Sequence, residues 1–161
     1  MDSADDDALR AEVLAPITSP DLHRLYDYWR ARCRDGKLPA RADIDPLELP
    51  DMLGRLVLFD VLRDPLRFRY RLLGSKLIMA RHGGPELTGK LLDDHPDAAF
   101  RAQAAANLTR VVTTGRPLAI HRDTVLDGRL RRSDTLCLPL ASDGALVDMI
   151  LVGARDLPKR R

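Results

Sequence analysis

The sequence predicts an α+β domain: a five-stranded antiparallel sheet with helices on one face and an extra helix at the N-terminal end. Three observations carry this. Short runs with strand alternation or strand-like apolar density occur at 56–62, 67–73, 118–127, 131–140 and 146–153. Asp127-Gly128 and Asp143-Gly144 lie in the connections between the last three runs, where the dipeptide suits a tight hairpin turn. Stretches with helical spacing precede the first pair of runs and separate it from the last three. With 161 residues, 45% of them hydrophobic, the chain can fill one core, and wholesale disorder is excluded.

The elements follow in order. Residues 1–18 open with Asp2, Asp5, Asp6 and Asp7 and are expected to be an acidic flexible tail. An amphipathic helix is expected within 19–36. Ser19 can cap its free amides, Pro20 fits the first turn, and Asp21 suits the positive end of the dipole. Leu22, Leu25, Tyr26, Trp29 and Cys33 form its apolar stripe, and Gly36 is the expected stop. The stripe holds the only tryptophan. It either packs on its own domain or forms a dimer or partner surface through Leu22, Leu25, Tyr26 and Trp29, and both readings stay open.

The core domain spans 37–153. Asp45-Pro46-Leu47-Glu48 has the form of a capping box and predicts a short helix to about Leu53, ended by Gly54. The run 56–62 is a strand, and 63–66 is a turn. In 67–73, Arg67, Arg69 and Arg71 alternate with Phe68, Tyr70 and Leu72, which predicts a half-buried strand paired as a hairpin. Helical character returns at 75–82 and ends at Gly83-Gly84-Pro85. Short helical pieces are expected around His95-Pro96. The longest helix is 98–114, with Phe100, Ala104, Leu108, Val111 and Val112 on roughly one face and Gly115 closing it. The last three strands follow, and 154–161 is a short basic tail.

Composition excludes several functions. Twenty-six Lys and Arg against 24 Asp and Glu leave a formal charge of +2, without the concentrated basic excess of a specific nucleic-acid binder. No apolar run approaches the ~20 residues of a membrane span. The acidic N-terminus has the wrong charge for a signal peptide. Cys33 and Cys137 lie in unlike contexts, so a disulfide framework is not expected and a cytoplasmic location is.

Several short motifs, taken together, resemble the PAS domain, in the subfamily typical of small alphaproteobacterial proteins. They are Tyr28-Trp29, Pro39-x-Arg41-x-Asp43-Ile44-Asp45-Pro46 and Phe68-Arg69-Tyr70-Arg71-Leu72-x-Gly74. Leu87-Thr88-Gly89-Lys90, Gly115-Arg116-Pro117 and Leu138-Pro139-Leu140-Ala141-Ser142-Asp143-Gly144 complete the set. The resemblance runs from about Leu22 to Gly153 and implies a PAS-like fold and a stand-alone sensory or regulatory module of bacterial signalling. Such a module acts by binding a small molecule, by protein interaction, or both. No effector region fits beside it in 161 residues, so a homodimer or an unidentified signalling partner is expected to carry the signal.

No catalytic constellation stands out in the sequence. No glycine-rich phosphate loop, Cys-x-x-Cys or His-Glu-x-x-His pattern occurs, and neither a metal site nor enzymatic activity is expected. His23 and Asp27 lie one helical turn apart and read as an exposed polar pair ahead of a metal site. PAS domains that carry haem usually place the ligating His on the long helix, which here has none; His95 and His82 lie upstream, and haem is not expected. The reactive Cys of flavin photosensory PAS domains has no counterpart in Gly74-Ser75-Lys76 or Met79-Ala80-Arg81-His82, so flavin adduct chemistry is not expected either. Cys137 reads as a small buried hydrophobe.

For a ligand cavity, the expected walls are Tyr70, Leu72, Met79, Leu91, Ala104, Leu108, Ile120, Leu136, Leu138, Met149 and Leu151, with a small apolar or anionic ligand. A fully packed core is the competing reading. Arg67, Arg69, Arg71, Arg131 and Arg132 read first as a solvated sheet face and second as an anion site. The alternative function is a small-molecule carrier or enzyme on a cone-like α+β fold, with Asp148 and Asp123 as its polar pair.

Overall fold

The five strands form one antiparallel sheet in a computed structural model that describes residues 2–75 and 86–158. They are β1 (Leu56–Leu62), β2 (Arg67–Leu73), β3 (Leu118–Leu126), β4 (Arg129–Leu140) and β5 (Met149–Asp156), in the spatial order β2-β1-β5-β4-β3. The first hairpin therefore docks beside the last strand: β5 is central although it comes last in the chain, and β1 lies inside the sheet between β2 and β5. Asp127 and Gly128 both take positive φ, the backbone of a tight hairpin turn, and join β3 to β4. Asp143 turns the chain again by accepting the Ala145 and Leu146 N–H groups on its carboxylate.

Both faces of the sheet are covered. On one lies α3 (Ala98–Thr114), whose first turn is capped by the Asp97 carboxylate accepting Phe100 N–H at 3.1 Å. Gly115 ends it in the left-handed conformation, as expected. The other face is covered by α1 (Ser3–Leu14), α2 (Pro20–Arg32) and the 3₁₀ turns that follow. Six of the seven residues of β1 are buried, because neither side of this strand meets water.

Two expectations about the N-terminal region are corrected. Residues 3–14 form a helix rather than a flexible tail, and Leu14 and Ile17 are buried beneath it. Ion pairs fasten α1 to α2: Arg10 grips Asp27 with two hydrogen bonds, and Arg30 reaches Asp6. The stripe of α2 is no free dimer surface. Leu22, Leu25, Tyr26 and Trp29 are 0%, 0%, 1% and 4% exposed against the chain's own sheet. Trp29 Nε1 donates to the Pro139 carbonyl at 2.9 Å. Gly153 makes the close approach possible: a Cβ there would sit 2.6 Å from Leu25 Cδ2 and 2.9 Å from Leu22 Cδ2.

Local chemistry differs from the expected at three further points. Ser19 makes no side-chain cap; the Asp134 carboxylate takes the Thr18 and Ser19 N–H groups instead. α2 stops at Arg32, and Gly36 serves a tight turn bridging Arg34 to Lys37. The expected capping box does not close: the Asp45 carboxylate accepts Leu47 N–H, but Asp45 N–H donates to Tyr28 Oη and Glu48 pairs with Arg32, and two successive 3₁₀ turns, Pro46–Glu48 and Pro50–Met52, stand in place of one helix. The helix expected at 75–82 lies almost wholly outside the described residues.

Candidate functional site

A cavity of about 130 Å³ lies between the sheet and α3. Its floor is the α3-facing side of the strands: Val57 and Phe59 of β1, Tyr70 and Leu73 of β2, Ile120 and Arg122 of β3, Thr135 and Cys137 of β4, Val152 and Ala154 of β5. The two-residue period of the strands places the floor residues on one face in every strand but β2, where a β-bulge between Tyr70 and Leu73 brings both to the same side. Its roof is Phe100, Ala104, Asn107 and Leu108, one stripe of α3 at helical spacing. Leu87 and His95, from the segment before α3, close one end.

The polar groups in this wall are few. The buried His95 ring lies 4.3 Å from the Phe100 ring and accepts Asp97 N–H on Nδ1 at 3.0 Å, so its neutral form carries the proton on Nε2. Burial pushes the Cys137 thiol up to about 12, which keeps it protonated and unreactive at neutral pH. Burial also moves the Arg122 guanidinium below its ordinary value.

Four of the expected wall residues are in place: Tyr70, Ala104, Leu108 and Ile120. The others are corrected. Leu72 is 43% exposed because a β-bulge interrupts the β1–β2 pairing, where Leu58 and Phe59 oppose Leu72 and Tyr70 and Arg71 is left over. The extra residue reverses the alternation, and Leu73 faces the cavity in its place. Leu136, Leu138 and Leu151 sit one residue out of phase and pack under α2, with Met149 at the edge of the same cluster. Leu91 bridges to Arg69 and does not line the cavity. Met79, like His82, lies outside the described residues.

The arginines form no common anion site. Arg67, Arg69 and Arg71 lie on the edge strand β2, while Arg131 and Arg132 lie on β4, with β1 and β5 between them. Arg69 donates twice to Asp60, at 3.0 and 3.1 Å, and Arg71 approaches the same carboxylate at 3.7 Å. Arg132 lies 3.5 Å from Asp123.

The proposed polar pairs are also separated from the cavity. Asp148 accepts Ser142 N–H in a turn, and Asp123 pairs with His121 on the opposite face of β3. His23 contacts the Ile17 carbonyl and Asp27 holds Arg10, so these two share no ligand geometry. Among the described residues no group of three or more His, Cys, Asp or Glu is arranged to hold a metal ion. No described helix is long and apolar enough to cross a membrane.

Sequence reading does not place Arg122, Asn107 or Thr135 on the cavity wall; Arg122 reads only as a neighbour of the arginine-rich hairpins. Their signal was present: each stands two to four residues from a correctly placed or buried wall residue on the same element. A polar side chain in a strand or on a helix is read as facing water by default, which hid them.

The five-stranded antiparallel sheet in the order 2-1-5-4-3, with a long helix packed across one face, defines a PAS-like α+β domain. The chain belongs to the PAS domain family, whose model matches residues 17–153. Among solved structures it resembles the PAS domain of Bordetella pertussis BvgS, at 18% identity over 85% of this chain and 88% of that one, with a TM-score of 0.51. A Rhodobacter sphaeroides LOV protein is more distant in shape, at 16% identity over 72% and 70% of the two chains and a TM-score of 0.46. No curated protein matches the chain by sequence.

Proposed function

We propose that this PAS domain is a sensory or regulatory module that binds a small molecule between its sheet and α3 and relays occupancy to a protein partner in bacterial signalling. The observation that carries the reading is the cavity itself. Its volume is close to the ~150 Å³ of apolar cavities that admit benzene, whereas a packed core has few voids larger than water. Its wall is mostly apolar with a few placed polar groups, the usual character of a ligand site. Binding rather than catalysis is supported by the wall chemistry: no carboxylate lines the cavity, and the Cys137 thiol is held protonated.

Native mass spectrometry of the purified protein, with an absorption spectrum of the same sample, tests this. A non-covalent mass increment is expected in the wild type and is expected to disappear in Ala104→Phe, whose ring fills the roof. An increment that persists in a folded Ala104→Phe protein would place the ligand elsewhere and defeat the reading.

A further inference from the structure

Arg122 sits on the floor at β3, half-buried, and no hydrogen bond or ion pair engages its guanidinium among the described residues. Every aspartate and glutamate of the chain lies within the described residues, so no side-chain carboxylate of this protein reaches it. The arrangement is unlike that of Arg69, Arg30 and Arg10, each of which holds a carboxylate. A half-buried guanidinium without a counter-charge loses hydration and recovers nothing in return. Burial, the largest influence on Arg122, holds it below its ordinary value, and no carboxylate counters it.

Two neutral donors border the same space. Asn107 comes from the roof and Thr135 from the floor, and neither side chain is hydrogen-bonded among the described residues. Apart from the buried His95 imidazole, the Tyr70 phenol and the neutral Cys137 thiol, the rest of the described wall is apolar, with Phe59, Phe100 and Leu108 prominent.

We propose that the cavity takes a compact apolar monocarboxylate, its ring or short chain against the apolar wall and its carboxylate on the Arg122 guanidinium, with Asn107 and Thr135 as flanking donors. The inference rests on the reading of the cavity as a ligand site. One guanidinium matches one negative charge, and its planar fork suits two carboxylate oxygens. A phosphate dianion would enter an apolar wall with half its charge unmatched, which disfavours nucleotides and phosphoesters. The volume, near that of a benzene-binding cavity, sets the body at about one ring.

Calorimetric titration with benzoate, benzamide and toluene is the test, run on wild type, Arg122→Gln and Arg122→Lys with folding checked by circular dichroism. Benzoate is expected to bind the wild type at least tenfold more tightly than benzamide, which has the same shape and no charge. That preference is expected to vanish in Arg122→Gln and to shrink in Arg122→Lys, which keeps the charge without the fork. Equal binding of benzoate and benzamide to the wild type would overturn the carboxylate assignment without requiring any variant to fold. Binding of toluene with no binding of benzoate would overturn it too, while leaving the cavity as an apolar ligand site. Failure of all three probes to bind would overturn both readings together.

Discussion

His121 Nδ1 lies 2.7 Å from one oxygen of Asp134, while the other oxygen accepts the Thr18 and Ser19 N–H groups at 2.8 and 3.0 Å. Asp134 is 0% exposed. A single buried carboxylate therefore ties β3, β4 and the entry to α2 together. Its burial is tolerated because three donors meet it.

Removing that carboxylate should loosen the N-terminal layer. In Asp134→Ala, two backbone N–H groups and the His121 ring lose their acceptor at once. We expect a loss of about 3 kcal/mol in urea denaturation, from amides left without partners. A loss below about 1 kcal/mol would show that water or another acceptor takes over at the α2 entry.

The same contact predicts a pH dependence. The hydrogen bond to Asp134 is the main reason that His121 holds its proton above the ordinary histidine range, with Asp123 assisting and partial burial opposing. The folded value is raised, so the contribution to stability is fully present below the unfolded value of about 6.5. It is lost as pH rises through the higher folded value. Wild type should therefore exceed His121→Gln in Tm by more at pH 6 than at pH 9. An equal margin at the two pH values would remove the linkage.

Trp29 supports the fold and is expected to matter little for association. Its ring is buried against Tyr26 and its indole N–H is satisfied by Pro139. Trp29→Ala should cost about 3–5 kcal/mol, as for other large aromatic truncations in cores. Equilibrium denaturation measures this. Unchanged stability together with a changed sedimentation coefficient would restore the stripe as an interface.

Cys137 should behave as a core residue. With its thiol pushed up to about 12 by burial, it should resist a disulfide reagent at pH 8 in the native protein and react on unfolding. A Cys33→Ser protein leaves Cys137 as the only thiol. Rapid labelling of that protein under native conditions would mean that the cavity floor opens readily.

Much of the fold was legible in the chain because its signals are local. The strands at 56–62 and 67–73 were read to the residue, since apolar density and alternation report the backbone period directly. The helix 98–114 was read to the residue as well, since Asp97 and Gly115 satisfy its two ends. The candidate site was only partly legible. Tyr70, Ala104, Leu108 and Ile120 carry the correct phase within their own elements. Leu136, Leu138 and Leu151 are as apolar as any wall residue, yet they face the other way.

The physical reason is that a strand's period separates two faces without saying what covers either one. Here both faces are covered, so leucines serve both, and apolarity alone cannot distinguish the α2 side from the α3 side. The sequence by itself determined the strands, the long helix, the Asp-Gly hairpin between β3 and β4, and the PAS resemblance, because each is a local pattern. Tertiary structure alone decided that α1 and α2 cover the sheet, that the Arg71 bulge exchanges Leu73 for Leu72, and that Arg122 lines a cavity without a carboxylate partner. Those outcomes depend on which distant segments meet, with Asp134 and Gly153 setting how closely α2 approaches the sheet.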